Sequence, residues 1–410
     1  MKNMNAGKNS PFVWNRLRKN RIRLIGRICF FFLSALIPCI TAMGQSKPAH
    51  TYQSVGGYFQ LKQVYSDVIQ FRGSHYDYGF MQGNLLKGSF TVQNRKRQWK
   101  VRRPRFVISE EETKYALEPF APQIWDELCG FRDALEWSME DVLKEFGGYR
   151  LEYMPSGCSI VTGSDFMVRN YDYHPKTYEG RFTVFSPSDT GYSVIGPSQR
   201  ITGRMDGMNE KGLVMGYNFT HRKKPGNGFI CSMISRIVLE SCADVTEAID
   251  LLRKIPHRHS FSYMLLDTTG QSIVVEATPR SVEMRHSHIC TNHFEQMTHE
   301  NRHHLDDSYK RMNTINRKQH NVQHVYDAFR LLNDSDKGVF SGKYKNWAGT
   351  IHTSAYLPKE QKVWFALGGN REPLVFDFRQ WLKGNDFTTT RILGEVDTNL
   401  PFVHMDEHVK

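Results

Sequence analysis

The sequence predicts an α+β fold in which strands and helices come in mixed order. Runs rich in β-branched and aromatic residues are separated by Ser, Pro, Asp and Gly, which is the pattern of short antiparallel strands. Other stretches carry a capping residue ahead of apolar positions at helical spacing. With 410 residues, of which 40% are hydrophobic and 23% charged, the chain can bury a substantial core.

The first 44 residues differ from the rest and predict an export signal. Lys2 to Arg27 contains eight Lys or Arg and no acidic residue, and the apolar run from Ile28 to Ile40 is too short for a comfortable membrane span. Ala42 to Gly44 then supplies the small residues that a signal peptidase recognises. We therefore expect cleavage before Gln45 and a periplasmic or extracellular protein that meets a membrane only through this signal. An uncleaved N-terminal anchor is the alternative.

Removing this segment lowers the formal net charge of the chain from +12 to +4, because it contains eight positive charges and no negative one. Seven of the remaining positive charges lie between Arg95 and Arg105, around Trp99. Such a run can bind phosphates or an anionic surface. No recognisable nucleic-acid module surrounds it, so a solvated loop is the favoured interpretation and no nucleic-acid partner is predicted. A protease-sensitive loop is a third interpretation.

Residues 45–157 predict a pro-segment or α chain of mixed structure. Val64 to Phe71 has the composition of a strand. Ser109, with Glu112 three residues later, predicts the start of a helix, and Ser138 with Asp141 predicts another that ends near Gly147. Between these two caps the apolar positions at helical spacing are Ile124, Leu128, Phe131 and Leu135. We expect this segment to pack on residues 158–410.

The segment from Ser159 to Tyr171 predicts a β-hairpin that begins with a potential nucleophile. Ser159 to Thr162 and Phe166 to Tyr171 are strand-like, and a Gly-Ser-Asp turn joins them. Cys158 therefore begins a strand directly after Gly157. If the bond between these two residues is cut, the thiol can attack a carbonyl carbon while the free α-amine accepts the proton. The thiol can make this cut itself by attacking the Gly157 carbonyl, because glycine has no side chain that hinders the approach.

The return strand of this hairpin carries polar groups that can orient a thiol and an amine. Arg169, Asn170 and Asp172 all lie on it. Strict alternation sends Arg169 and Asp172 to opposite faces, so we expect a bend or bulge if both reach the site. The structural alternative is that Cys158 is simply a buried strand residue, since free cysteines are commonly buried.

The remainder of the chain predicts more strands, interrupted by helices. The expected strands are 182–185, 192–195, 199–205, 212–219, 262–266, 272–277, 286–294, 350–356 and 362–367. The expected helices are 230–241, 244–254 with Asp244 as its cap, 308–317, and 321–332 with Asn321 as its cap. The tail after Pro373 contains no motif from which a structure can be predicted.

Five segments in order give a specific resemblance. These are the Gly157-Cys158 junction with Arg169-Asn-x-Asp172, then Asp206-Gly-Met-Asn-Glu-Lys-Gly-Leu213, Gly216-Tyr-Asn-Phe219, Thr291-Asn-His-Phe294 and Ser308-Tyr-Lys-Arg311. Together they resemble the N-terminal-nucleophile hydrolases of the choloylglycine hydrolase and penicillin acyltransferase type. They cover most of the chain from Cys158 to the C-terminus.

The resemblance implies a four-layer fold, with two stacked antiparallel sheets between helical layers. It implies hydrolysis or transfer at a linear amide C–N bond of a small molecule, through an acyl-thioester on Cys158. In the residues that match, Asn218 and Asn292 would hold the oxyanion, and Arg311 would orient the nucleophile region or a substrate carboxylate. Asp172 would hold the new α-amine and Arg169 would favour the thiolate. The segment ahead of the cut would be retained as a separate chain.

Other interpretations of the same residues stay open at this point. A papain-like enzyme would pair Cys158 with His293 or His352 and need no internal cut, and a basic surface-binding protein would not need the thiol at all. Acyl transfer in place of hydrolysis would show as a dependence on an added amine. Without the resemblance, the two asparagines are equally explained as turn or strand-end residues, and Arg311 as a surface arginine.

The sequence argues against a metal site, a redox motif or a cofactor. His299 and His303 stand at helical spacing beside His304, but no Glu lies between them as in a metalloprotease helix. The cysteines after residue 44 are Cys129, Cys158, Cys231, Cys242 and Cys290, and no two have CxxC spacing. An odd number leaves at least one unpaired, and we expect that one to be Cys158.

Overall fold

A computed structural model describes residues 61–101, 108–153, 155–221, 223–346, 348–402 and 404–405, without the side chains of 96–101. The strands are β1 (Leu61–Gly73), β2 (Gly157–Thr162), β3 (Met167–Tyr173), β4 (Arg181–Pro187), β5 (Val194–Gln199), β6 (Gly203–Arg204), β7 (Asp206–Asn209), β8 (Val214–His221), β9 (Ser260–Leu266), β10 (Ser272–Ala277), β11 (Val282–His286), β12 (Ile289–Cys290), β13 (Gly349–Leu357), β14 (Lys362–Leu367), β15 (Leu374–Asp377) and β16 (Arg391–Asp397). The helices are α1 (His75–Leu86), α2 (Phe90–Val101), α3 (Glu110–Leu117), α4 (Gln123–Leu135), α5 (Met139–Phe146), α6 (Cys231–Ser241), α7 (Val245–Lys254), α8 (Asp306–Lys318), α9 (Val325–Asn333) and α10 (Phe378–Leu382).

Within these described ranges the strands form two sheets. The larger has ten strands in the order β11-β10-β9-β8-β7-β5-β4-β1-β16, with β6 paired to β5. The smaller has six in the order β12-β2-β3-β13-β14-β15. Strand β2 contacts β8 across the sheets, and one continuous apolar core includes Ile160 of β2 and Tyr217 of β8. The two sheets therefore stack face to face.

Helices cover the outer faces of the two sheets. Helices α6 and α7 pack on strands of the larger sheet, while α8 and α9 pack on β2, β3, β12 and β13 of the smaller one. A second apolar cluster joins Val168 of β3 and Ala355 of β13 to Phe329 and Leu332 of α9. The predicted α+β sandwich of two sheets between helical layers is confirmed.

The segment ahead of Cys158 is built into the larger sheet. Strand β1 runs parallel to β4 and antiparallel to β16, so it has a partner on each side. Helix α1 packs closely on α4 because Gly79 and Gly83 face Gly130 and Ala134, where added side-chain carbons would collide with the opposite helix. Residues on both sides of the Gly157–Cys158 bond thus share one hydrophobic core.

Most of the predicted caps are found at the positions that the sequence indicates. The side chains of Ser109, Ser138 and Asp244 each accept a hydrogen bond from the backbone three residues later, at the starts of α3, α5 and α7. Asn321 is an exception, because α9 begins after His324, and Asn321 lies in a separate short 3₁₀ turn. His324 and Asp327 form the capping box of α9 instead.

Two predicted strands are wrong in extent. Residues 199–205 do not form one strand, because Arg200 and Ile201 have φ values of 54° and 67° and turn the chain back so that β6 pairs with β5. Residues 286–294 are not one strand either: β11 ends in the larger sheet, and only Ile289–Cys290 joins the smaller sheet. A composition typical of strands cannot show that a segment changes sheets.

The basic run is also not a loop where the structure describes it. Phe90–Val101 is helix α2, and Arg95 is buried, with ion pairs to Glu145 and Glu179. The apolar residues of α2 were too few to predict this helix, which the buried ion pairs of Arg95 attach to the rest of the fold. Residues 102–105 lie outside the described ranges. The predicted export signal and its cleavage site lie outside them as well.

None of the helices in the described part of the chain is long and apolar enough to cross a membrane.

Candidate active site

Cys158 is fully buried, and three groups of this residue are held by three different side chains. It lies on β2 directly opposite Tyr171 of β3. Its Sγ accepts a hydrogen bond from Arg169 Nη2 at 3.1 Å. Its backbone N–H donates to Asn292 Oδ1 at 2.9 Å, and its carbonyl oxygen accepts from Arg311 Nη1 at 2.5 Å. The sulfur and the backbone nitrogen of one residue therefore have separate partners.

Arg169 is fully buried between the two sheets and is fixed on three sides. Its Nη1 donates to Asp206 Oδ2 at 2.5 Å, and its Nη2 donates to the carbonyl oxygen of Tyr217 at 2.5 Å as well as to the Cys158 sulfur. The guanidinium fits here because β8 has a glycine opposite it: a Cβ at Gly216 would lie 2.9 Å from Arg169 Cδ. The prediction that Arg169 lies beside the thiol agrees with this geometry.

Asp206 provides the counter-charge for Arg169, and the site prediction did not include it. Its other oxygen accepts hydrogen bonds from Ser354 at 3.1 Å and from the Tyr356 hydroxyl. Burial would raise the pKa of Asp206, but the Arg169 charge, with smaller contributions from His352 and Tyr356, lowers it to about 2. Asp206 is the first residue of the Asp206 to Leu213 motif, and this motif is the sequence signal that could have identified it as a site residue.

Asp172 lies on the other face of β3 and reaches the site at the backbone of Gly157. The two residues are directly opposite in the β2–β3 pair, and a Cβ at position 157 would lie 3.0 Å from Asp172 Oδ2. Its carboxylate accepts a hydrogen bond from Thr350 at 2.7 Å, and burial raises its pKa despite the opposing charge of Arg311. The expected irregularity occurs not in β3 but in the adjacent β13, where the register shifts between Thr350 and His352. Side chains from both faces of β3 therefore contact Gly157 and Cys158: Arg169 contacts the sulfur, and Asp172 lies against Gly157.

Asn292 and Arg311 join the helical layer to β2. Arg311 of α8 donates to Ser159 Oγ and to Asn292 Oδ1, both at 2.8 Å. Asn292 Nδ2 donates to the carbonyl oxygens of Phe219 at 2.9 Å and of Ser156 at 3.4 Å. Ser156 belongs to the segment ahead of the predicted cut. One amide hydrogen of Asn292 therefore points at the chain that precedes Cys158.

Asn218 is buried nearby but is engaged with backbone groups. Its Nδ2 donates to the carbonyl oxygens of Cys290 at 2.8 Å and Thr291 at 3.2 Å. It thereby fixes the segment that carries Asn292. Its predicted part in an oxyanion hole stays a prediction.

The two histidines of the papain-like alternative are turned to other partners. His293 Nδ1 lies 2.8 Å from Ser308 Oγ, and His352 stacks on Tyr171 with its Nε2 3.7 Å from Asp206 Oδ2. In the part of the chain that the structure describes, the side-chain hydrogen bond to Cys158 Sγ comes from Arg169. This geometry offers no Cys–His pair for nucleophilic catalysis.

All five cysteines of the described ranges are free thiols, as we expected of Cys158. Among the described residues, no three His, Cys, Asp or Glu side chains form a group that could hold a metal ion. The region of His299 to His304 is a 3₁₀ turn and a loop ahead of α8, so the helical spacing assumed for these histidines is wrong.

The thiol is held in its neutral form in this state of the chain. Burial raises the pKa of Cys158 to about 11, although the nearby Arg169 charge acts in the opposite direction. A buried thiol with this pKa is a weak nucleophile at neutral pH. Because Cys158 is also fully buried, an external substrate reaches the sulfur only after a change that opens the site.

Comparisons with known proteins identify a family. The sequence model of one family, described as acyl-coenzyme A:6-aminopenicillanic acid acyl-transferase, matches residues 161–372, just over half of the chain. Its match begins three residues after Cys158 and includes Arg169, Asp172, Asn218 and the later segments. No curated protein matches the chain significantly.

Solved structures are also similar at low identity. Penicillin V acylase from Agrobacterium tumefaciens is 15% identical with a TM-score of 0.38, over 55% of this chain and 86% of that one. A mutant of conjugated bile acid hydrolase from Clostridium perfringens is 15% identical with a TM-score of 0.40, over 59% and 97%. An N-acylethanolamine-hydrolyzing acid amidase ortholog from Caenorhabditis elegans is 12% identical with a TM-score of 0.36, over 50% and 93%.

Proposed function

Since the chain belongs to the acyl-coenzyme A:6-aminopenicillanic acid acyl-transferase family, we propose that it is a self-cleaving cysteine enzyme acting on linear amide bonds. Family membership makes it an enzyme of acyl transfer or amide hydrolysis. The proposal adds the cut between Gly157 and Cys158, and the thiol as nucleophile. One observation supports it above the others: the sulfur and the backbone nitrogen of Cys158 are each held by their own partner, Arg169 and Asn292.

The first step is an intramolecular acyl shift. The Cys158 thiol loses its proton and the sulfur attacks the Gly157 carbonyl carbon. The C–N bond then breaks, the nitrogen takes up the proton and becomes the free α-amine, and the Gly157 acyl group is left on sulfur as a thioester. Water hydrolyses the thioester and restores the thiol. Asn292 Oδ1, already 2.9 Å from the nitrogen, accepts a hydrogen bond from it both as an amide and as an amine.

The segment ahead of the cut stays bound afterwards. Strand β1 is hydrogen-bonded on both edges within the larger sheet, and α1, α3, α4 and α5 pack together beside it. Breaking one peptide bond removes none of these contacts. We therefore expect an α chain ending at Gly157 and a β chain starting at Cys158 that purify together.

The second step uses the new terminus on a substrate. The α-amine, whose unperturbed pKa is about 7.7 to 8.0, takes the thiol proton, and the sulfur attacks the amide carbonyl of the substrate. The departing amine takes that proton back, leaving an acyl-thioester. Water completes hydrolysis, whereas an acceptor amine completes transfer. In this step Asp172 holds the ammonium form, and Arg169 stabilises the thiolate.

The developing oxyanion needs a donor that becomes available only after the cut. Asn292 fits this requirement, because one of its Nδ2 hydrogens is directed at Ser156, which is next to the new C-terminus that the cut creates at Gly157. Asn218 is the second predicted donor and would have to exchange a backbone partner. Replacing Asn292 by Ala should lower kcat by about a hundredfold in the fraction that has cut, as for loss of an oxyanion donor. The exposed Asn313 of α8 is the control, and its Ala variant should match the parent.

The cut is tested by intact-mass analysis and N-terminal sequencing of the purified protein. The expected result is a chain that begins at Cys158, together with its partner. Cys158→Ala should remain a single chain, whereas Cys242→Ala, which removes another buried free thiol, should be cut normally. Active enzyme without a terminus at Cys158 would overturn the proposal. So would normal cutting of Cys158→Ala.

Hydrolysis and transfer are separated by the fate of the acyl group. Product formation from an amide substrate should be followed with and without an added amine acceptor. Release of the free acid without acceptor identifies a hydrolase. An absolute requirement for the amine identifies a transferase.

We also propose export, with cleavage of the signal before Gln45. The supporting observation is the order of a basic segment, an apolar run and small residues in the first 44 positions. Fractionation and sequencing of the mature N-terminus test this. A membrane-bound protein that still carries Lys2 to Arg27 would favour the uncleaved anchor.

A further inference from the structure

Tyr153, five residues ahead of Cys158, is inserted between the two sheets. Its ring lies 5.6 Å from that of Tyr173 in β3, 6.2 Å from that of Tyr217 in β8 and 5.3 Å from that of Phe261 in β9, measured between centroids. The last two contacts are edge-to-face, the arrangement that aromatic rings prefer. Tyr153 is only 2% exposed. A segment without regular secondary structure thus fills an aromatic pocket.

The floor of this pocket is polar and is matched to a phenol. The Tyr153 hydroxyl donates to Gln199 Oε1 at 3.1 Å and lies 3.4 Å from the Tyr217 hydroxyl. The same Gln199 oxygen accepts from Tyr217 at 2.6 Å, and Gln199 Nε2 donates to the Tyr171 hydroxyl at 2.7 Å. Gln199 is thereby fixed in one orientation. A purely hydrocarbon group in this pocket would remove one of the two hydroxyl donors to the amide oxygen and leave Tyr217 as the other.

The pocket adjoins the nucleophile. Tyr171, which Gln199 contacts, is the residue directly opposite Cys158 in the β2–β3 pair. The Arg169 guanidinium, which contacts the sulfur, lies 5.0 Å from the ring of Tyr171 and 5.1 Å from that of Tyr217. The aromatic side chains around Tyr153 and the reacting sulfur are therefore neighbours between the sheets, and Tyr153 fills the space beside them in this state of the chain.

We propose that the pocket that holds Tyr153 is the acyl-binding pocket of the cut enzyme, and that it selects amides whose acyl group carries a 4-hydroxyphenyl ring. This inference rests on the proposed function. The cut untethers the chain that ends in Gly157, so that Tyr153 can withdraw and leave a cavity shaped for its own side chain. Gln199 is then the residue that distinguishes a hydroxylated ring from a plain one. Before the cut, the Tyr153 side chain fills the pocket and keeps substrates out of it.

The first test compares three substrates that share one amine leaving group and differ in the acyl part: 4-hydroxyphenylacetyl, phenylacetyl and octanoyl amides. The cut enzyme should have the highest kcat/KM for the hydroxylated ring. In Gln199→Leu the ratio of hydroxylated to plain ring should fall by about tenfold or more, because the variant lacks the amide oxygen to which the hydroxyl of the ring would donate. Gln271→Leu, at an exposed position in the connection between β9 and β10, should keep the parental ratio.

The second test needs no turnover. In the uncut Cys158→Ala protein the pocket is filled, so 4-hydroxyphenylacetamide should not bind measurably by calorimetry. In Cys158→Ala/Tyr153→Ala the vacated pocket should bind 4-hydroxyphenylacetamide more tightly than phenylacetamide, and adding Gln199→Leu should remove that preference. If the Tyr153 variant does not fold, the substrate ratios of the cut enzyme decide alone.

The outcomes separate the two proposals. An enzyme that is cut at Cys158 and hydrolyses octanoyl amides best, with no effect of Gln199→Leu on the ratio, overturns the pocket assignment and leaves the proposed function intact. A protein with no new terminus and no activity on any amide overturns the proposed function. Equal binding of the hydroxylated and plain amides to the double variant counts against the assignment of Gln199.

Discussion

Two arginines, Arg169 and Arg236, are both fully buried but donate hydrogen bonds to different kinds of partner. Arg236 of α6 donates to Glu240 at 2.8 Å, to the Thr202 carbonyl oxygen at 2.9 Å, and to Glu127. Arg169 has one carboxylate, Asp206, and otherwise a backbone carbonyl oxygen and the Cys158 sulfur. Arg236 thus faces two negative charges, while Arg169 faces one.

The difference shows how a buried charge becomes available for chemistry. The network of Arg236 is closed, since each of its three nitrogens donates to an oxygen within that network. The network of Arg169 is open, because one nitrogen contacts the Cys158 thiol, which under the proposed mechanism becomes a negative thiolate. We propose that Arg169, which lacks a second carboxylate, stabilises the charge that develops on this sulfur. Burial and residue type alone do not distinguish the two.

The largest expected effect is on stability, at the closed network. Arg236→Leu removes the charge that Glu127 and Glu240 share and leaves Glu240 with His75 as its ion-pair partner, which should lower the free energy of unfolding by about 3–5 kcal/mol. Urea denaturation in the uncut Cys158→Ala background measures this. Lys87→Leu, which breaks the exposed ion pair with Glu136, is the control and should not change the midpoint measurably. A change no larger than that of Lys87→Leu would show that the Arg236 network is not held by its charges.

The next effect is on the cut, and it separates the two arginines. Arg169→Lys keeps a positive charge beside Asp206 but lacks the second donor group that contacts the sulfur, so the cut should slow by about a hundredfold. Mass spectrometry over time measures the rate. Arg236→Lys should cost stability but leave the rate unchanged in the folded protein. If both variants slow the cut equally, the contrast between an open and a closed network is wrong.

Local features of the site could be predicted from the sequence, because they depend on neighbours in the chain. The hairpin with Cys158 at its start, the caps at Ser109, Ser138 and Asp244, and the place of Arg169 beside the sulfur all follow from short-range patterns. Asp172 also lies where alternation sends it, on the face opposite Arg169. Its contact is with Gly157, so the bulge that we expected in β3 was not needed.

Features that depend on the packing of the two sheets could not be predicted in this way. Asp206 lies 37 residues from Arg169 and meets it only because β7 and β3 face each other across the core. Tyr153 precedes the nucleophile in a segment with no strand or helix pattern, and its partner Gln199 ends a strand just before a turn of non-glycine residues with positive φ. Residues 286–294 change sheets, which no periodicity shows. Contacts between sheets are set by the twist and stacking of both, not by local propensity.

The pH dependence of the cut tests whether the thiol beside Arg169 is neutral before it reacts. Burial raises the pKa of the Cys158 thiol to about 11, so below that pH the thiolate is the minor form. Its fraction then rises about tenfold for each pH unit, and the cutting rate should rise with it between about pH 6 and 9. A rate measured by mass spectrometry that is flat over this range would mean that proton transfer from the thiol does not limit the cut.

The smallest expected effect comes from the residue that precedes the nucleophile. In Gly157→Ala the new Cβ would lie 3.0 Å from Asp172 Oδ2 and 3.1 Å from Asp172 Cβ, closer than ordinary contacts allow. The Asp172 side chain must move by a few tenths of an ångström, and the cut should slow by about tenfold, since reacting groups lose rate when they are displaced. Gly342→Ala is the matched control, because its added Cβ meets no atom within 4 Å. Equal rates for the two variants would mean that the Asp172 side chain moves away from the new Cβ without slowing the cut. The close fit at position 157 would then not be needed to hold the scissile bond in place.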